Sequence, residues 1–378
     1  MARLRSAFLF VWLGLGLFGL TASTAWADFY AQVNFVSDLP GLAQFTDPNL
    51  QNPWGISRSG TSPFWVSDQR TNVATIYSVS ANGTVTKANL TVAMPTTAAG
   101  PQGPTGQVNN NTTAFPVNGL ASAFIFANLN GTIDAWRGTL VPITAAVTVA
   151  TTPGAVYTGL AIGDPSVPRL FAADGPQNRV DVFDGAFGLL NLPGAFANPF
   201  PGLVPFNTQN IGGNIYVTYA PAGLAAQRAA TEGMGGVAIF DTNGNLIAPL
   251  IGGSTSHLAS PWGIALAPAG FGTFAGDLLV GNFSFVASEI NAFNPTTGAF
   301  VGRIPINVGS GNTPGGLWAL SFGNGITGNL NTLYFTDGIN GETNGLFGAI
   351  SFVPEPATLG LLGLGLAALG LSRRRKPA

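Results

Sequence analysis

One histidine and no cysteine occur in 378 residues, and that removes most of the chemistry side chains can supply. His257 alone cannot build a multi-histidine zinc site or a two-histidine acid–base pair. Ser254 and Ser256 beside it bring no Gly-x-Ser-x-Gly elbow, so a nucleophile with its base is not apparent. Its loop position is the ordinary place for a solvated or locally bonded histidine. Thiol catalysis is absent along with the cysteines. The glycine-rich stretch 309–316 lacks the Lys-Ser/Thr of a phosphate-binding loop. What is left is a spaced set of oxygen donors, Asp68, Asn128, Asp174, Asn282 and Asp337, each closing an apolar run. Such residues cap tight turns through their own backbone. Gathered in one place, they would instead bind a hard cation such as calcium.

The elements carrying these residues are strands. Runs such as Phe64-Trp65-Val66, Val180-Asp181-Val182-Phe183, Val237-Ala238-Ile239-Phe240 and Thr332-Leu333-Tyr334-Phe335 are short and apolar. Turn pairs Asn82-Gly83, Asn130-Gly131 and Asn243-Gly244 punctuate them. Asn52-Pro53-Trp54-Gly55-Ile56 returns as Ser260-Pro261-Trp262-Gly263-Ile264. Weaker copies are Gly103-Pro104-Thr105-Gly106, Tyr157-Thr158-Gly159-Leu160 and Thr313-Pro314-Gly315-Gly316-Leu317. In each copy a run ending in one of the five Asp/Asn residues follows, then a further strand. A sixth copy, 214–241, keeps two strands around an insertion, 220–235.

Six units recurring at roughly fifty residues predict an all-β, six-bladed propeller over 28–352, because each small sheet can bury its faces only against its neighbours. A β-sandwich lacks such a recurrence, and solenoid coils are shorter. Trp54 and Trp262 read as packing between blades, with Gly55 and Gly263 allowing close strand approach. Trp65, Trp136 and Trp318 do not all repeat. For them ligand stacking competes with burial, which is the default for large aromatics. The Gly/Pro/Asn/Thr-rich stretch 96–113 reads as a surface loop or interblade crossover.

Both ends read as addresses outside this fold. Arg3 and Arg5 precede an apolar region and Ala25-Trp26-Ala27, the pattern of a signal peptide (1–27) cut by signal peptidase after Ala27. The segment 353–378 holds Pro354-Glu355-Pro356, then fifteen uncharged residues, 357–371, then Arg373-Arg374-Arg375-Lys376. The prolines hold Glu355 in an extended, accessible stretch. The apolar run is short of the roughly 20 residues that span a bilayer, so it suits a transient membrane association, with the terminal cations on the cytoplasmic side. Between the two ends lie eight Lys/Arg and fifteen Asp/Glu, so the body is near −7 although the whole chain is −2. Its few cations are scattered, which argues against nucleic acid as a partner.

The tail resembles the PEP-CTERM sorting signal of bacterial exported proteins. That resemblance implies recognition and cleavage by a membrane-embedded exosortase, and delivery to the cell surface or extracellular matrix. The repeat resembles the NHL-type propeller unit. The opening Asn-Pro-Trp-Gly-Ile, Pro-Phe-Trp-Val-Ser-Asp and Ala-Thr-Ile-Tyr segments are similar to a family of bacterial exported proteins of uncharacterised function. Similar propellers with calcium-dependent lactonase activity place Glu, Asn and Asp ligands in their channel, which implies an alternative to a non-enzymatic protein without cofactor. The expected activity is therefore binding of a surface polysaccharide or protein, with a calcium-dependent, lactonase-like hydrolase as the alternative.

Overall fold

The structure is a computed structural model that describes residues 30–96, 103–163 and 166–353. The signal segment, Ala25 and Ala27 included, and the tail from Pro354 through Arg373, Arg374 and Arg375 lie outside the described residues. Six small antiparallel sheets follow one another around an axis, as the repeat predicts. Blade 1 comprises Pro53–Ser57, Phe64–Asp68, Val73–Val79 and Val85–Lys87, with Val92–Ala93 beside its third strand. Blade 2 comprises Pro104–Asn109, Phe124–Asn128, Thr132–Trp136 and Val147–Thr151. Blade 3 has three strands, Tyr157–Ile162, Arg169–Asp174 and Arg179–Asp184. Blade 4 comprises Leu203–Ile211, Asn214–Pro221, Gly236–Phe240 and Leu246–Ile251, and blade 5 Pro261–Leu266, Leu278–Asn282, Glu289–Phe293 and Phe300–Pro305.

Blade 6 is composite. Leu317–Phe322, Thr332–Asp337 and Leu346–Phe352 come from the end of the described chain, and Tyr30–Ser37 from its beginning. The two terminal strands pair antiparallel from Tyr30 opposite Phe352 to Ser37 opposite Leu346, with a bulge between Asn34 and Val36. The ring is thus closed by main-chain hydrogen bonds between strands more than 300 residues apart.

The first strand of each blade lies nearest the axis, and each such strand contacts the next in turn around a closed ring. Glycine makes this approach possible. A Cβ on Gly55 would strike the Thr105 carbonyl, one on Gly106 the backbone of Leu160, one on Gly159 Asn207, and one on Gly263 the Trp318 carbonyl. The residue before the inner strand is left-handed in four blades, at Asn52 (φ 47°), Gly103 (φ 56°), Ser260 (φ 54°) and Gly316 (φ 95°). That bend turns the chain into the central barrel and accounts for the recurring Asn-Pro, Gly-Pro and Ser-Pro pairs.

One expectation needs correction. The stretch 96–113 is not a loop throughout, because Pro104–Asn109 is the inner strand of blade 2. Gly106 there meets the packing demand of the barrel, which outweighs the turn-forming composition. Trp65, Trp136 and Trp318 are buried, the default reading for large aromatics: Trp318 is fully buried, and Trp65 stacks on Phe124 and lies 4.7 Å from Trp136 between blades 1 and 2.

Candidate functional site

The two ends of the axis differ. Where the inner strands begin, Trp54, Phe206, Trp262 and Trp318 extend from blades 1, 4, 5 and 6 and meet. Trp54 stacks on Trp318 at 3.5 Å between ring centroids, and Trp262 lies 6.1 Å from Trp54 although their blades are not neighbours. The Trp262 indole donates to the Thr158 carbonyl at 2.9 Å, reaching blade 3. The Trp318 indole donates to Asn52 Oδ1 at 2.9 Å. These aromatics plug the axis. The blade 4 insertion lies over this end: Arg228 Nε donates to Glu342 Oε2 at 2.8 Å, and the Glu342 carboxylate also accepts from Asn52.

The other end is open. A funnel of about 560 Å³ sits at the exits of the inner strands of blades 1, 2, 3, 4 and 6. Below it the axis narrows to a space of about 20 Å³ lined by all six inner strands, Asn207 and Gln209 among them, roughly the room one water needs. Gln107 braces the funnel floor: its carboxamide oxygen accepts the Ser57 hydroxyl, and its nitrogen donates to the Gly55 carbonyl, both at 2.9 Å. Arg58 is the one charged residue of the lining among the described residues. Its guanidinium donates to the carbonyls of Phe322 at 2.7 Å and Gly323 at 3.0 Å, and burial lowers its pKa. Asn109 spends its amide nitrogen on the Ala123 carbonyl, leaving its oxygen for the funnel. Asn111 and Gln209 are exposed at the rim. Among the described residues the lining therefore presents amides, hydroxyls and one guanidinium, without a carboxylate.

The five Asp/Asn residues are placed by a common rule and are not brought together. Four sit directly opposite the first residue of their own inner strand: Asp68 faces Pro53, Asp174 faces Tyr157, Asn282 faces Pro261 and Asp337 faces Leu317. Asn128 faces Pro104 in the same manner. They ring the plugged end, away from the funnel, and each is buried against its own blade. Asp68 accepts from Thr75 at 2.7 Å, Asp174 from the Val156 N–H at 3.2 Å, and Asn282 from the Ala259 N–H at 2.9 Å. Asn128 donates to Asp134 Oδ2 at 2.9 Å. Neither carboxyl oxygen of Asp337 has a partner among the described residues. Burial pushes Asp68 and Asp337 well above the usual carboxylate range and raises Asp174. Among the described residues no group of three His, Cys, Asp or Glu side chains is arranged to hold a metal ion.

His257 is engaged in an ion cluster on the rim of blade 5. Its Nδ1 lies 2.5 Å from Glu232 Oε2, and Arg303 bridges Glu232 at 3.2 Å and Glu289 at 3.0 Å. Burial raises Glu289; the same effect on Glu232 is outweighed by its His257 and Arg303 contacts, and its pKa falls.

The fold and the site define a class: a six-bladed β-propeller, plugged at one end of its axis and open at the other. Residues 352–376 match the PEP-CTERM protein-sorting motif, so this is an exported protein that an exosortase sorts to the cell surface or extracellular space. The chain is 31% identical over 300 residues to "Uncharacterized protein R648" of Acanthamoeba polyphaga mimivirus, covering 74% of this chain and 70% of that one. It is 28% identical over 288 residues to "Uncharacterized protein L690" of the same virus, covering 72% and 74%. The chain belongs to the family of the first of these relatives. A solved streptogramin B lyase structure superposes with a TM-score of 0.52 at 10% identity, covering 86% of this chain and 98% of that one; the likeness is one of fold.

Proposed function

We propose that the protein is a non-enzymatic binding protein of the cell surface or extracellular matrix, and that its funnel takes a segment of uncharged, polyhydroxylated glycan. The observation that carries this reading is the blind funnel, sealed below by the tryptophan plug and lined by amides and hydroxyls with a single guanidinium. Amide groups pair with vicinal hydroxyls as both donors and acceptors. The described lining has no carboxylate to supply the acid–base pair of a glycoside hydrolase. The sorting motif supports the location, and signal peptidase cleavage after Ala27 with a brief membrane stage completes the export route.

The calcium-dependent, lactonase-like alternative would need ligands other than Asp68, Asn128, Asp174, Asn282 and Asp337, since these ring the plugged end. Calorimetric titration of the mature protein with fragments of the producing cell's polysaccharide tests the proposal. Saturable binding that Asn111→Ala with Gln209→Ala weakens about tenfold supports it. No binding by the wild type, or hydrolysis of the fragments, rejects it.

A further inference from the structure

Lys87 is the only lysine between residues 28 and 352, and its Nζ lies 2.6 Å from Asp47 Oδ2. Asp47 is 1% exposed. The same Oδ2 accepts the Tyr77 hydroxyl at 2.7 Å, while Oδ1 accepts the Asn49 backbone N–H at 3.0 Å. On the neighbouring strand Asp68 takes the Thr75 hydroxyl on one oxygen, and its other oxygen has no partner among the described residues. Phe64, Tyr77, Tyr334 and Phe347 form an apolar wall around the group. Asp47 is the buried half of this pair, while the Lys87 side chain keeps about one-fifth of its surface exposed, so the contact holds a nucleophilic nitrogen against the carboxyl group.

We propose that Lys87 and Asp47 condense to an intramolecular amide, an isopeptide bond that staples the seam of the propeller. Nζ, having passed one proton to Oδ2, adds its lone pair to Asp47 Cγ. Oδ1 carries the developing charge against the Asn49 N–H. The Cγ–Oδ2 bond then breaks, and Oδ2 leaves as water with the second amine proton, relayed by the Tyr77 hydroxyl. Asp68, whose carboxyl burial pushes well above the usual carboxylate range, accepts the Thr75 hydroxyl beside that relay. One ammonium and one carboxylate become one amide and one water, so atoms and charge balance without an oxidant or an activating nucleotide. Fixed proximity of Nζ to the buried Asp47 carboxyl supplies the drive that a free amine and acid lack.

The position gives the bond a purpose. The Asp47 N–H donates to the Ser37 carbonyl at 2.9 Å, at the end of the ring-closing strand, and Lys87 ends the outer strand of blade 1. The amide would join blade 6 to blade 1 covalently in a chain that has no disulfides. Blade 3 holds a parallel network in which Tyr157 donates to Asp181 at 2.7 Å and Asp181 pairs with Arg179 at 2.6 Å. Its basic member is a permanently charged guanidinium and no nucleophile, so one water is lost from the chain, not two.

Intact mass of the purified mature protein, followed by peptide mapping, tests this. The expected result is a protein one water lighter than its sequence, a branched peptide joining Asp47 to Lys87, and full sequence mass for a folded Lys87→Arg variant. Asp68→Asn is expected to fold and to form the bond about a hundredfold more slowly. Full sequence mass in the wild type with Lys87 in a linear peptide overturns the proposal, as does a missing water that maps to a succinimide elsewhere.

Discussion

Tyr30 and Phe352, the first and last residues of the terminal β-ladder, face each other across the seam with ring centroids 5.8 Å apart. The Tyr30 hydroxyl donates to the Phe271 carbonyl at 2.7 Å and accepts the Phe274 N–H at 3.1 Å, and its ring stacks on Phe274 at 5.4 Å. Blade 5 therefore clamps the pair that closes blade 6. Tyr30→Ala removes the ring and both hydrogen bonds and is expected to cost about 3–4 kcal/mol in urea unfolding. Amide exchange in residues 30–37 and 346–352 should accelerate more than in blade 2. Equal acceleration throughout would mean that the clamp does not govern the seam.

The central barrel depends on glycines without room for a methyl group. Gly106→Ala places a Cβ against the Leu160 backbone and is expected to destabilise by about 2–3 kcal/mol. Gly60→Ala meets nothing within 4 Å and should change stability by about 0.5 kcal/mol or less. Chemical denaturation of the two variants side by side checks the contrast.

Asp337 is a buried acid with no hydrogen-bond partner among the described residues, and burial holds its pKa far above the ordinary value. The folded state therefore retains a proton that the unfolded chain releases near pH 3.9, and this contribution to stability declines as pH rises above that value toward the folded pKa. Asn fills the same place in blades 2 and 5. Asp337→Asn is expected to be more stable than wild type at pH 7 by about 1–3 kcal/mol, with the gap closing toward pH 3. Thermal unfolding across that range measures it; a variant less stable at pH 7 would contradict the assignment.

The terminal ladder ends at Phe352, two residues before Pro354. Replacing Pro354-Glu355-Pro356 with alanines is therefore expected to leave the propeller folded while uncleaved protein accumulates in the membrane fraction. Cell fractionation with immunoblotting checks this, and normal release of the variant would refute the sorting step.

Much of the fold was legible because a propeller repeats its inner strand. Pro-Trp-Gly in blades 1 and 5 encodes a left-handed bend, an axial aromatic and a close approach together. The closing strand was not legible, since Tyr30–Ser37 belongs to a blade whose other strands come from the far end of the described chain, and it carries no repeat motif. The inner strand of blade 4, Leu203–Ile211, escaped because Asn207 replaces the glycine and uses its side chain to reach the Trp262 carbonyl at 2.9 Å. The five Asp/Asn residues stood out by recurrence, which marks a shared position opposite the start of the inner strand. The funnel residues Asn109, Asn111 and Gln209 gave no signal, because an amide at or near the end of a strand is unremarkable until several such ends converge.

The central claim is that the funnel binds glycan without turning it over. Titrating labelled mature protein with neutral polysaccharide fragments, and following its amide resonances by NMR, tests it most directly. The account predicts shifts centred on Arg58, Asn109, Asn111 and Gln209 with the fragments recovered unchanged. Shifts centred on the plugged end around Asp68 and Asp337, or appearance of cleaved fragments, would contradict it.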